Sequence, residues 1–160
     1  LRKDHREAAE RVASLSKKAL EVIVVDIVNY FIKDLLEILA YASASRWDEV
    51  QMRLIQKGAD PDPESIISVL EEMHDKINFD EALAHADPNT KTIVGNLIGT
   101  VMALTKKFVP REYIEKFTYE NVIAQAEKRN LEEIKHYLIK YPNLTRKLID
   151  WLRAKMLNEK

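Results

Sequence analysis

Apolar residues recur every three to four positions along nearly the whole chain, the period of an α-helix with one buried face. From Ala19 onward the first segment is apolar over most of its circumference, through Leu20, Ile23, Val24, Ile27, Val28, Phe31, Leu35, Leu36, Ile38 and Leu39. Asp26, Asn29, Lys33 and Glu37 fall at i, i+3, i+7 and i+11 and make one narrow polar stripe. The pattern predicts a long helix over about residues 4 to 42, with room for a break at Ser14 to Lys17. Such a helix belongs at the centre of the fold, wetted along its single polar edge.

Cap and turn residues divide the rest. Arg46 to Lys57 reads as a second helix that stops at Gly58, a good left-handed cap. In "GADPDPES", Asp62 is a good N-cap and Pro63 a good first residue for a third helix, to about Lys76. "NFDEALAHADPN" is irregular and has room for one short helical turn. Pro88 opens a helix to about Lys107, Pro110 opens a short one, and Thr118 caps the next, to about Lys128. Two more run over about Leu131 to Lys140 and Leu144 to Leu157, separated by Pro142 and Asn143. The predicted class is all-α: a globular bundle of about seven or eight helices in one domain, 1–160, with pseudo-halves 1–77 and 88–160. The first helix and the helix opened by Pro88 are the expected centre.

That second helix carries an oddity. "IVGNLIGTVMAL", Ile93 to Leu104, holds two of the chain's three glycines. Each mid-helix glycine costs about 1 kcal/mol against alanine. Gly95, Gly99 and Ala103 fall at i, i+4 and i+8 and form a stripe without side-chain bulk, which lets another backbone approach closely. Val94, Leu97, Ile98, Val101 and Leu104 make the other side bulky and apolar. The expectation is protein on both sides, the small stripe meeting the first helix of the same chain or a second subunit, with a ligand lying on bare backbone as the remaining alternative.

A faint internal repeat adds to the picture. Shifted by 84 positions, "AYASASRWDEVQMRLIQK" (40–57) lies without a gap on "AQAEKRNLEEIKHYLIKY" (124–141). Ala40, Ala42, Glu49, Leu54 and Ile55 match identically. The arrangement resembles the helix–turn–helix of ankyrin and related α-repeats. Two copies so far apart cannot stack as a solenoid, so the repeat reads as one αα-hairpin used twice.

Composition narrows the chemistry. The chain has 160 residues, 46% of them hydrophobic and 32% charged, which is globular rather than disordered. It has no cysteine, which removes disulfides, thiol catalysis and cysteine-based metal sites. The longest uncharged run, Thr92 to Thr105, is too short for a membrane span of about 20 residues. A cytoplasmic location is the default expectation, and abundant Lys and Glu hint at a thermophile. The net charge of −1 hides a polarity: residues 48–90 carry 3 basic and 11 acidic side chains, residues 91–160 carry 14 and 8. Such a layout suits pairing within the chain, head-to-tail association, or an anionic partner for the basic half.

No phosphate loop, nucleophile elbow, dinucleotide glycine pattern or zinc-protease motif is present, and no cofactor is expected. The acidic middle offers Glu71, Glu72, His74, Asp75, Asp80, Glu81, His85 and Asp87, oxygen and imidazole groups that a divalent ion accepts. A solvated acidic surface is the simpler reading, and no metal site is assigned. The sharpest catalytic pattern is "RNLEEIKHY". Arg129, Asn130 and His136, with six residues between Arg and His, resemble the motif of HEPN-type ribonucleases, α-bundles that dimerise around a composite site. The resemblance implies a metal-independent ribonuclease in which His136 moves protons and Arg129 holds phosphate. It covers nine residues, and an ordinary surface histidine explains His136 as well. Lys106, Lys107, Arg111, Lys128, Arg129, Lys135, Arg146, Lys147 and Arg153, interleaved with aromatics, would suit RNA or single-stranded DNA. The leading expectation is a non-enzymatic helical assembly protein, a homo-oligomer or a subunit bound to a protein partner, in a nucleoprotein complex if the basic face binds nucleic acid.

Overall fold

The computed structural model describes Glu7 and residues 17–43, 47–58 and 62–159. Among these residues the chain forms nine α-helices and no strand. They are α1 (Lys17–Ala42), α2 (Trp47–Lys57), α3 (Pro63–Glu72), α4 (Phe79–Ala84), α5 (Pro88–Phe108), α6 (Arg111–Glu115), α7 (Tyr119–Lys128), α8 (Glu132–Lys140) and α9 (Pro142–Glu159), with a 3-10 turn at His74–Lys76. The protein is an all-α helical bundle. Glu7 is helical, but most of the expected extension of the first helix, with its break near Ser14, lies outside the described residues.

α1 is the hub. Val28, Ile32, Leu35, Leu36 and Leu39 are buried, and the helix packs against α3, α4, α5, α7 and α8. Each such side chain contributes about 1.5–3 kcal/mol when fully buried. The second hub is α9, which touches α3, α5, α6, α7 and α8 and buries Leu144, Leu148, Ile149 and Leu152. Residues from Val24 to Met156 join in one apolar cluster. α2 packs chiefly on α3 and occupies an edge of the bundle.

Most helix starts are local. The Asp62 carboxylate accepts the Ser65 N–H at 2.9 Å, Asp87 accepts Thr90 N–H at 3.0 Å, and the Thr118 hydroxyl accepts Asn121 N–H at 3.3 Å. Gly58 closes α2 with φ of 66°. Two boundaries differ from expectation. The third helix ends at Glu72 and tightens into the 3-10 turn, instead of running on to Lys76. The last helix starts at Pro142, not Leu144. It has no local cap. Instead Glu71 of α3 takes the Asn143 N–H on one carboxylate oxygen at 2.9 Å and the Leu144 N–H on the other at 2.6 Å.

The polar stripe of α1 is only partly wetted. Asn29 is fully buried, Asp26 meets Arg129, and the Lys33 ammonium lies 3.2 Å from Glu133 and over the Tyr137 ring. The α7–α8 hairpin presents its own charges at matching heights, so the stripe is a docking seam. A helical period marks a polar edge without saying whether water or a polar partner covers it.

The expectation for α5 also changes. Its bulky face, Val94, Leu97, Val101 and Leu104, turns inward on α1 and α9. Gly95, Gly99 and Ala103 are exposed. A Cβ built on either glycine meets nothing within 4 Å. Among the described residues, the small stripe does not pack against the first helix. The face with more apolar area wins the core, and among the described residues α5 is covered on one side only.

The internal repeat has a structural counterpart. Val50 and Ile134, Leu54 and Leu138, and Ala42 and Ala126 are buried in both copies. Ile55 and Ile139 are exposed in both, at 78% and 55%. Ala40 is buried while Ala124 is exposed.

Candidate functional site

The α7–α8 turn carries the sharpest sequence candidates. α7 ends at Lys128 with Arg129 as its C-cap. Asn130 follows in the left-handed region, with φ of 55°. Its N–H bonds to Glu127 O at 3.1 Å, and Leu131 N–H bonds back to Ala126 O at 2.9 Å. This pair of bonds is a Schellman closure, in which asparagine takes the place glycine usually fills. Asn130 therefore ends α7 and does not cap α8. The residue before α8 is Leu131, which makes no side-chain cap bond.

That turn aims Arg129 at α1. Nε lies 2.5 Å from Asp26 Oδ1, and the guanidinium also donates to the Gln125 side-chain oxygen. The Arg129 side chain keeps 19% of its exposure. Burial pushes the Asp26 carboxyl above its usual range, and the Arg129 charge only partly opposes that. His136, by contrast, is exposed on α8, its ring edge-on to Tyr137 with centroids 5.7 Å apart. The arginine is spent on a structural ion pair, and the histidine stands on the outer face.

Most of the nine cations assigned to a polyanion face have partners within the chain. Arg111 pairs with Glu115 at 3.3 Å, Lys135 with Glu127 at 3.1 Å, and Arg153 with Asp150 at 3.0 Å. Arg146 pairs with Glu120 and lies over the Tyr119 ring; the Glu120 carboxyl is held below its usual range by Arg146. Lys147 donates to His74 O at 2.8 Å, and Arg153 also to Phe117 O at 3.2 Å. Lys107 lies over the Phe108 ring at 5.4 Å. Lys106 and Lys128 are exposed near the ends of α5 and α7.

Part of the polarised charge layout pairs inside the chain. The acidic segment and the last two helices meet through Lys140–Glu64, Lys155–Asp80 at 2.9 Å, and the Glu71 cap of α9. Lys155 holds the Asp80 carboxyl below its usual range. His74 is occupied locally: Nδ1 lies 3.1 Å from Glu71 O and Nε2 lies 2.9 Å from Asp75. Among the described residues no three histidine or carboxylate side chains converge as a metal site. Nor is any described helix long and apolar enough to cross a membrane.

Part of the exposed surface is apolar or small. Beside the stripe on α5, Met52 and Ile55 of α2, Ile139 of α8 and Tyr30 of α1 stand exposed. Two clefts flank the α7–α8 hairpin. One lies between α1 and α8, lined by Tyr30, Lys33, Asp34 and residues 131–134. The other lies between α1 and α7, lined by Glu21, Val25, Asn121, Val122 and Gln125, with Tyr113, Lys116 and Phe117 at its side. The sequence carried the signal for Asp26, which lies on the α1 stripe. Nothing local signals Glu71, whose target lies 72 residues away. Comparison of the chain with family models, with curated proteins and with solved structures finds no match.

Proposed function

We propose that this protein is a non-enzymatic helical assembly module, which uses the outer face of α5 to pack against another helix in a second subunit or a protein partner. One observation supports the reading above the others: Gly95 and Gly99 stand mid-helix and exposed, and among the described residues no contact offsets their cost. No charged residue interrupts α5 from Thr92 to Thr105. A partner helix would meet backbone, small side chains and neutral polar groups, with little charge to desolvate. The cations that would carry RNA or single-stranded DNA binding are mostly engaged by carboxylates, carbonyls and rings of the same chain, so the proposal rests on protein contact.

The test is solution mass by light scattering over a concentration series, with and without a short single-stranded RNA, for the native chain and for Gly95→Leu/Gly99→Leu. The proposal expects either a dimer that the double variant reduces to monomer, or capture of a helical partner that the variant loses. A native chain monomeric at every concentration, with the same partners as the variant, ends it. A mass that rises only with RNA transfers the function to the cations.

A further inference from the structure

Asn29 is fully buried on α1, and among the described residues neither atom of its carboxamide has a hydrogen-bond partner. A buried amide left so is as costly as a lost hydrogen bond. Its neighbours on the same stripe, Asp26 and Lys33, are paired with the hairpin. Asp26 Oδ1 is buried without an aligned hydrogen bond, although Arg129 Nε stands 2.5 Å away. The next pair along, Lys33–Glu133, is half exposed, and its strength is diluted by water. The α7–α8 hairpin thus meets α1 along a polar line with an unsatisfied amide at its centre, held chiefly by the Asp26–Arg129 pair.

The clefts define the width of that line. At 100° per residue, Glu21 and Val25 fall to one side of the Asp26–Asn29–Lys33 line, and Tyr30 and Asp34 to the other. These are the residues that line the two clefts against α7 and α8. Contact with α1 is narrow and open along both flanks. The hairpin itself is better braced. The Tyr119 hydroxyl on α7 donates to Leu138 O on α8, and the Schellman closure at Asn130 locks the turn. Its ends are tied to neighbours by the exposed pairs Glu120–Arg146 and Lys140–Glu64.

The geometry points to a detachable element: the α7–α8 hairpin swings off α1 as a unit, parting along Asp26, Asn29 and Lys33, while the rest of the bundle stays folded. Opening would uncover Val122, Ala126 and Ile134, all buried in the closed form. It is a conformational device separate from the α5 face and independent of what that face binds. Sub-global opening of this kind belongs to the least stable cooperative unit of a fold.

Native-state hydrogen exchange of the full chain, read by mass spectrometry, tests it with two substitutions. Peptides from 119–141 should exchange at least about tenfold faster than peptides from the middle of α5. Asn29→Leu should slow the hairpin peptides about tenfold, since a near-isosteric apolar group replaces the orphaned amide. Gly99→Ala should slow exchange of α5 and leave the hairpin rate unchanged, because α5 stays helical when the hairpin alone opens. Hairpin peptides as protected as α5, or slowed by Gly99→Ala, would show that the hairpin opens only with global unfolding and would overturn the inference. Faster hairpin exchange in Asn29→Leu would overturn it too, since the amide would then be holding the seam. Should that variant not fold, Arg129→Gln replaces it: the hairpin must then exchange about tenfold faster, and an unchanged rate refutes the seam.

Discussion

Arg129 on the α7–α8 turn and Asp26 on α1 are joined at 2.5 Å, Nε to Oδ1. The guanidinium that would hold a phosphate in a ribonuclease site is instead paired with a half-buried carboxylate. His136, one helix face away, has no part in that pair.

The two residues should therefore behave differently on substitution. Arg129→Ala strands the Asp26 carboxylate and should cost about 1–3 kcal/mol. His136→Ala, at an exposed position, should fall within about 0.5 kcal/mol of the native chain. Urea denaturation measures both. Equal losses would contradict the structural role given to Arg129. RNA cleavage by the native chain that both variants abolish while folded would establish the HEPN-like site instead.

The open glycines make a prediction of unusual sign. Gly95→Ala and Gly99→Ala should each stabilise the monomer by about 1 kcal/mol, since a Cβ meets nothing and alanine favours the helix. For a chain of this length each should raise the melting temperature by roughly 2–4 °C. A dilute thermal melt showing destabilisation would mean that the stripe is already occupied in solution.

Glu71 should matter more than its charge alone suggests. Glu71→Ala removes both bonds to the first amides of α9 and should cost about 1–3 kcal/mol. Glu64→Ala, which removes only the exposed pair with Lys140 and leaves the backbone contact from Tyr141, should cost under about 1 kcal/mol. Chemical denaturation of the two variants side by side decides the matter, and equal costs would deny the long-range cap.

Acid should weaken the fold. The Ser65 amide and hydroxyl hold the Asp62 carboxyl below its usual range, the Thr90 hydroxyl and amide do the same for Asp87, and Lys155 does so for Asp80. Depressed groups stabilise the fold above their unfolded value of about 3.9 and stop doing so as pH falls through the folded value. Asp26 has the opposite sign: its raised carboxyl favours the fold when protonated, and that contribution is lost as pH rises through the raised value. Melting temperatures between about pH 5 and pH 2 should fall, and Asp26→Asn should steepen the fall. A flatter profile in that variant would reverse the sign assigned to Asp26.

The helix starts at Asp62–Pro63, Asp87–Pro88 and Thr118 were legible because donor and acceptor lie within four residues. The start of α9 was not, because its acceptor comes from α3 and the local window offers only Tyr141 and Pro142. The α1 stripe was visible in the period, yet its partner was not, since water and a charged hairpin leave the same pattern. In α5 the sequence showed one bulky and one bare face. It did not say which the core would take, and the larger apolar area decided. At 129–136 the residue types were plain, but their directions depend on one left-handed residue, Asn130, that a linear pattern does not flag.

The carboxylate that starts the final helix is made well before the helix itself. As synthesis proceeds from the N-terminus, Glu71 emerges on α3 long ahead of Asn143 and Leu144, so the last segment arrives to find its anchor waiting. A circular permutant that placed α9 ahead of α3 would reverse this order of arrival, leaving the start of α9 without its acceptor until α3 had been translated.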